Sequence, residues 1–276
     1  MSYTSSARDL RANRASPDFG SLVRAWREKR KLSQLALALE SGISARHLSF
    51  VETGRSTPSR ELILRLSESL TVPLRERNAL FLAAGFAPYY PERELSSPDM
   101  AAAHRAIERL ISAHDPYPGV AVDRYWNIAM ANKAAQRMSA SLPEFLTKPA
   151  INMFRAGLHP QGFAAITTNF DEWGAYLLGE LERLASSTFD AAAVSLLEEV
   201  RAYPTVSALR RTMARELTRE ERMLVPCVLS VGGVRLSLFT TLVTFGSPRD
   251  VTLAELTVEL FYPADDATTE ILRAMA

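Results

Sequence analysis

The stretch LSQLALALESGISARHLSFVETGRSTP, residues 32–58, predicts two short helices joined by a tight turn. The first helix has apolar residues at helical spacing and stops at Ser41-Gly42. The second helix begins directly at Ile43-Ser44 and breaks at Thr53-Gly54. Two helices joined this closely form a protruding edge that fits the major groove of DNA.

Helical patterns on both sides extend this pair to five predicted helices. Asp18 is a suitable N-cap for a first helix that runs to about Lys31. A fourth helix is predicted after Pro58, and a fifth between Pro73 and Gly85. About seventy residues would therefore form one all-α domain.

The segment from Phe19 to Gly85 resembles the DNA-binding domain of the Xre/lambda-repressor class of bacterial regulators. The resemblance rests on LSQ at 32–34, Ala38, the turn Gly42-Ile43, and VETGRSTPS at 51–59. It implies a five-helix lambda-repressor-like fold that binds double-stranded DNA.

The exposed start of the second helix of the pair is the predicted reading surface. Arg46 can bond guanine O6 and N7 with two parallel hydrogen bonds, and Ala45 can contact a thymine methyl group. The resemblance makes Gln34 a phosphate contact, and Arg55 is predicted to be another. For any one of these residues, a solvated surface position is the alternative. The predicted DNA-binding residues are Gln34, Ser44, Ala45, Arg46, His47, Ser49 and Arg55.

The charge of the chain is unevenly distributed along the sequence. Residues 1–90 hold 14 Lys and Arg against 8 Asp and Glu, whereas residues 91–276 hold 18 against 23. The net charge of the whole chain is +1. A basic front and an acidic rear indicate that the front meets a polyanion.

Composition predicts a cytoplasmic globular protein. The chain is 47% hydrophobic and 23% charged, without an apolar run of membrane-spanning length or the apolar core of a signal peptide. Its one cysteine, Cys227, excludes a disulfide framework within the chain, and an inert buried thiol is predicted there.

Four regions are predicted along the chain. Residues 1–17 are rich in Ser, Arg and Ala and are predicted to be a disordered basic arm. Residues 18–86 form the helix-turn-helix domain, and 87–103 form a linker that ends in the start of a connecting helix. Residues 104–276 form a second domain for ligand binding or dimerisation.

The second domain is predicted to be α+β, with one antiparallel sheet and covering helices. Two apolar strands are expected at Gly119–Asp123 and Trp126–Met130, followed by a largely helical block over 136–220. Three β-rich runs follow, with Gly232-Gly233 as a hairpin turn between the first two. This order is the plan of a PAS-like sensor fold. The runs are Met223–Val231, Val234–Phe245 and Leu253–Tyr262.

The last of these runs alternates in polarity, which predicts one solvated face. Leu256, Val258 and Leu260 would face inward. Glu255, Thr257 and Glu259 would then face water.

Three blocks of this region also resemble the ligand-binding half of MmyB-like Xre-family regulators. The blocks are DPYPGVAVDRYWNIAMAN at 115–132, NMFRAGLHPQG at 152–162 and ELFYPADDAT at 259–268. The resemblance covers roughly residues 105–270. It implies helices that close over a cavity and a small apolar effector, such as a fatty acid or an acyl group.

The sequence supports a cavity through its bulky and flexible apolar side chains. An ordinary filled core is the alternative. A carboxylate head group would need a donor, and Arg155, His159, Arg235, Asn132 and Tyr176 are all open candidates. The predicted apolar lining residues are Trp126, Met130, Met138, Phe154, Phe163, Phe170, Trp173 and Tyr176.

No catalytic or metal site is predicted, and no cofactor other than an apolar effector. The four histidines have no metal-ligand spacing, and no phosphate-binding glycine loop is present. A homodimer is expected, because one such domain reads only a half-site of an operator. Two alternatives stay open: a ligand-independent regulator that only dimerises or binds a protein, and an enzyme with a DNA-binding module.

Overall fold

A computed structural model describes residues 18–187, 190–212 and 225–275 of the chain. The predicted basic arm at 1–17 lies outside these residues. The chain divides into two compact units. The first unit extends to Glu92 and includes Pro248–Ala254, and the second consists of Arg93–Ser247 and Glu255–Ala276.

The first unit has the predicted five-helix fold. Local sequence sets where its helices begin, because the side chains of Asp18, Ser33, Ser44 and Ser59 accept backbone N–H groups at the starts of the first four. Gly42 makes the turn between the second and third helices with a φ of 64°. The helices are α1 Phe19–Lys29, α2 Gln34–Glu40, α3 Ala45–Glu52, α4 Arg60–Ser69 and α5 Leu74–Ala83.

Helices α1 and α3 cross at unusually close range at Gly20. A Cβ atom at this position would lie 2.5 Å from the carbonyl oxygen of Val51. The absent side chain therefore lets α3 lie directly on α1. Around this crossing, the side chains of Leu37, Leu48 and Ile63 are fully buried in one apolar core.

The second unit contains the predicted strands, with helices between and around them. The 3₁₀ turns Pro98–Met100 and Phe163–Ala165 accompany the longer elements. Its elements are α6 Ala101–Ser112, β1 Gly119–Val122, β2 Ile128–Ala131, α7 Lys133–Ser139, α8 Glu144–Thr147, α9 Met153–Leu158, α10 Phe170–Ser187, α11 Ala191–Arg201, α12 Pro204–Thr212, β3 Cys227–Val231, β4 Val234–Thr244, β5 Thr257–Pro263 and α14 Asp266–Ala274. The short helix α13, Val251–Glu255, precedes β5.

The five strands form one antiparallel sheet in the order β2-β1-β5-β4-β3. The last strand, β5, therefore lies in the centre, where it pairs with both β1 and β4. Strands β3 and β4 form the predicted hairpin, and Gly232 and Gly233 both adopt positive φ at its turn. The predicted α+β class with one antiparallel sheet is confirmed.

Two predictions about the last β-rich run are wrong. The run was expected to extend from Leu253, but that residue belongs to α13 and β5 begins at Thr257. Glu259 was expected to face water, yet it is only 4% exposed. Both faces of this central strand are covered, and Ile107 and Ile111 of α6 pack on the face opposite Glu259.

The predicted linker is more ordered than its composition suggested. The side-chain carbonyl of Asn78 in α5 accepts the backbone N–H groups of Tyr89 and Tyr90. The ring of Tyr89 also stacks on Phe81, with 5.4 Å between ring centroids. Within the described part of the chain, none of the helices has the length and apolar character needed to span a membrane.

Candidate functional site

The outer surface of α3 presents the central predicted reading residues. Arg46 and His47 are exposed, whereas Leu48 is fully buried. The guanidinium carbon of Arg46 lies 5.4 Å from the centre of the Phe50 ring. This stacking orients the Arg46 side chain along the exposed surface of the helix.

The remaining residues predicted on α3 have local structural roles as well. The Ser44 hydroxyl oxygen accepts the backbone N–H of His47 and caps the helix. Ala45 packs partly against the apolar core of the unit, and Ser49 is half-buried. Arg55 is exposed just beyond the helix end, in a position open to a phosphate group.

Gln34, a predicted phosphate contact, also has a structural role inside the domain. It is the first residue of α2, and its side-chain Nε2 donates to Oε2 of Glu52 at 2.8 Å. The amide therefore links α2 to α3 inside the domain.

Glu52 is the centre of an ion-pair network that joins the first three helices. Its side chain is fully buried and accepts from Arg27 Nε at 2.6 Å and from Arg27 Nη2 at 3.0 Å. Arg24 Nε lies 3.5 Å from the same carboxylate. Burial alone would raise the pKa of Glu52, but the hydrogen bonds from Arg27 and Gln34 outweigh it and lower the pKa below its usual value.

A cavity of about 80 Å³ lies in the second unit, between the sheet and its covering helices. Side chains from all five strands line one side of the cavity, and residues from α7, α9 and α10 contribute to the others. The lining residues are Pro118, Val120, Trp126, Ile128, Ala135, Met138, Ser139, Ile151, Met153, Gly157, Phe163, Trp173, Leu177, Cys227, Leu229, Leu238, Glu259 and Phe261.

Trp126, Met138, Phe163 and Trp173 line this cavity, whereas the other predicted apolar lining residues do not. Phe154, Phe170 and Tyr176 belong to the surrounding core, and Met130 packs in the cluster with α6 on the other side of the sheet. Residue type alone could not separate core positions from lining positions, because both are apolar.

Trp126 is held against the cavity by an unusual backbone conformation, with a φ of 63°. Asp123 Oδ1 accepts the backbone N–H groups of Tyr125 and Asn127 on either side of it. The Trp126 carbonyl accepts the N–H of Met153, another lining residue. These bonds fix the turn between β1 and β2 and position the indole ring.

The predicted basic anchors for a carboxylate do not line the cavity. Arg155 forms a two-point ion pair with Glu199, and Arg235 pairs with Asp265. The His159 ring lies against Phe145 and Tyr203, and its Nδ1 accepts the backbone N–H of Gln161. The structure therefore directs these three side chains to other partners.

Asn132, another candidate, is a buried structural residue. Its Oδ1 accepts from the backbone N–H groups of Gly119 and Ala135, and its Nδ2 donates to the carbonyls of Ile111 and Tyr117. All of its polar atoms are thereby used in joining α6, β1 and α7.

Two cavity residues carry groups that can titrate. Burial raises the pKa of the Cys227 thiol to about 12, which agrees with the predicted inert thiol. Burial also raises the pKa of Glu259 to about 7. Sequence reasoning missed Glu259 as a lining residue, and the described residues contain no cluster of side chains suited to a metal ion.

An exposed α3 surface on a five-helix domain and an apolar cavity in a second unit are features of a ligand-binding transcription regulator. Residues 23–77 match the helix-turn-helix family, and residues 103–275 match the family described as the MmyB-like transcription regulator ligand binding domain. The second match covers more than half of the sequence, so the chain belongs to the MmyB-like transcription regulator family.

Similarity to individual proteins is more limited. The chain is 45% identical over 56 residues to the HTH-type transcriptional repressor RghR of Bacillus subtilis (strain 168), a match spanning 20% of this chain and 42% of that protein. The PAS domain of Bordetella pertussis BvgS gives 14% identity and a TM-score of 0.26 over 64% of this chain and 94% of that one. An RNA-binding light-oxygen-voltage receptor gives 13% sequence identity and a TM-score of 0.24, over 94% of this chain and 62% of that one. TM-scores this low support no structural argument.

Proposed function

We propose that this DNA-binding regulator responds to a small, mostly apolar effector that occupies the cavity of its second unit. The observation that carries the proposal is the apolar cavity in the region that matches a ligand-binding family. Pockets of this kind, with few polar groups, are typical of small-molecule sites.

The size of the cavity limits the effector. At about 80 Å³ it is well below the roughly 300–1,000 Å³ of common ligand pockets. A fatty acid or acyl group, the effector expected from the family resemblance, would require the cavity to grow. Met138 and Met153 line it, and their flexible side chains can repack to admit a longer molecule.

For DNA recognition, we propose that Arg46 bonds base edges and that Arg55 contacts a phosphate group. His47 and Ser49 would contact bases or phosphates beside them. The regulator would act in the cytoplasm as a homodimer, on two half-sites about one helical turn apart.

The effector can change DNA affinity only by as much as its own affinity differs between the free and the DNA-bound regulator. A tenfold difference in effector affinity corresponds to about 1.4 kcal/mol of coupling. The coupling free energy can therefore be measured in two ways. One compares effector affinity with and without DNA, and the other compares DNA affinity with and without effector.

The proposal is tested with the full-length protein in two steps. Duplex DNA selected from a random pool supplies the operator, and mass spectrometry of the denatured protein identifies co-purified small molecules. The expected result is a bound small molecule that changes operator affinity when it is added back to protein stripped of it.

Two other outcomes would contradict the effector proposal. A reproducibly empty protein, whose operator affinity no extracted compound changes, would favour a regulator that only dimerises or binds a protein partner. Chemical conversion of the extracted compound by the protein would favour an enzyme with a DNA-binding module.

A further inference from the structure

The cavity contains one carboxylic acid in otherwise apolar surroundings. Glu259 lies in β5, the central strand, and is only 4% exposed. Its described neighbours in the cavity wall include no lysine, arginine or histidine. The other polar groups among the described residues of this wall are the hydroxyl of Ser139, the thiol of Cys227 and the indole N–H groups of Trp126 and Trp173.

One oxygen of this carboxyl group has no hydrogen-bond partner among the described residues. The side chain of Thr240 in the neighbouring strand β4 lowers the pKa of Glu259, but burial raises it by more. The Oε2 atom of Glu259 is buried and makes no hydrogen bond to any described residue. Buried polar atoms are almost always paired, and a buried charge without a partner is strongly unfavourable.

We propose that Glu259 is the polar anchor of the cavity and that the effector is a small apolar amine whose ammonium group bonds Oε2. The proposal rests on the effector function proposed above and specifies the chemistry of the head group. A protonated amine supplies a hydrogen-bond donor for Oε2 together with the positive charge that the described residues of the cavity wall lack.

The same geometry disfavours a carboxylate effector. A carboxylate in the cavity would meet Glu259 as a like charge, and none of the described lining side chains is basic. The two arginines that the sequence suggested as anchors, Arg155 and Arg235, are paired with Glu199 and Asp265. By contrast, the aromatic rings of Trp126 and Trp173 in the cavity wall can stabilise a cation.

A matched pair of ligands tests the head group directly. Hexylamine and hexanoate share a short apolar body, which suits the small volume of the cavity, and carry opposite charges. Isothermal titration of the full-length protein at about pH 8, above the pKa of Glu259, measures both affinities. We expect hexylamine to bind at least tenfold more tightly than hexanoate.

The variant Glu259→Gln assigns this preference to the proposed anchor. It keeps the size of the side chain but removes its charge, so hexylamine affinity should fall and the preference over hexanoate should disappear. Arg235→Gln is the matched control, because this exposed residue lies outside the cavity wall, and the preference should persist.

Proton release provides a second readout that a purely structural role would not produce. Tyr176 and Cys227 are the other titratable groups that interact with Glu259, and both have raised pKa values. At about pH 7 they stay protonated, while Glu259 is roughly half protonated. Hexylamine binding should then release on the order of half a proton, measured as binding heats in buffers of different ionisation enthalpy.

The outcomes separate this inference from the function on which it rests. Three results would overturn the role of Glu259 as anchor without contradicting the proposed effector function. They are equal binding of both probes, tighter binding of hexanoate, and a preference for hexylamine that is unchanged in Glu259→Gln. If neither probe binds while an extracted compound does bind in the cavity without contacting Glu259, the anchor is again overturned. Failure of every compound to bind contradicts the effector function itself.

Discussion

Replacement of Glu52 by leucine should destabilise the helix-turn-helix unit by about 3 kcal/mol. The substitution leaves the Arg27 guanidinium, whose side chain is only 11% exposed, without its carboxylate partner. Breaking a buried ion pair from one side costs about 3–5 kcal/mol. The lower end applies here, because Arg27 Nη1 keeps its bond to the Leu32 carbonyl and part of the side chain reaches water.

Hydrogen exchange followed by mass spectrometry measures this loss in the full-length protein. The method reads peptides from α1 to α3 separately, which matters because a chain of two units need not unfold in one step. A loss of about 3 kcal/mol corresponds to exchange roughly 150-fold faster for core amides such as that of Leu48. Glu68→Leu, at an exposed position of α4, is the control and should change stability by less than about 0.5 kcal/mol.

The double variant Arg27→Met with Glu52→Leu distinguishes the contribution of the ion pair to stability from the contribution of the packing around it. Replacing both charges by apolar groups of similar size is often neutral, so most of the lost stability should return. Exchange accelerated less than about threefold in the single variant would refute the reasoning. An equal loss in the single and double variants would also refute it, because the cost would then come from packing.

Four further outcomes are expected from the same structure. Because the pKa of Glu52 is lowered in the folded protein, its carboxylate contributes full stability above the ordinary pKa near 4.5. This contribution is lost as the pH falls through the lower pKa of the folded state, and acid unfolding with and without Glu52→Leu checks this. Arg46→Ala should weaken binding to the selected operator by about 1–3 kcal/mol and to random DNA only slightly, as measured by fluorescence anisotropy; equal losses would exclude a base contact. Gly20→Ala should cost about 1–3 kcal/mol in denaturant unfolding, because its Cβ would clash with a backbone carbonyl. Asn132→Ala should lower the thermal stability of the second unit by about 3 kcal/mol, since four buried backbone groups lose a partner; an unchanged melting temperature would contradict this role.

The sequence predicted best those features that depend on neighbouring residues. Asp18 caps α1 as expected, and Gly42 and Gly232-Gly233 form the expected turns, because capping and turn chemistry act over a few positions. The order of strands and helices in the second unit followed from local periodicity for the same reason.

Features that depend on distant parts of the chain could not be predicted in this way. The pairing of Arg27 with Glu52 joins residues 25 positions apart, and their spacing carries no signal. The alternation around Glu259 predicted a solvated face, because periodicity does not reveal that β5 is the central strand. Arg155 was a reasonable anchor by residue type, but Glu199 takes its guanidinium.

The position of β5 in the centre of the sheet also determines the order in which the DNA-binding helices and the cavity can form during synthesis. Strand β1 pairs with β5, and Gly119 and Leu260 are opposite each other in that register. At roughly 5–20 residues per second, a ribosome needs on the order of ten seconds to make the chain between them. The helices of the DNA-binding unit rely on short-range contacts and can fold within that interval. A nascent chain can therefore hold a folded DNA-binding surface before the cavity exists, and a truncation between α5 and β5 would keep the five helices but leave the cavity incomplete.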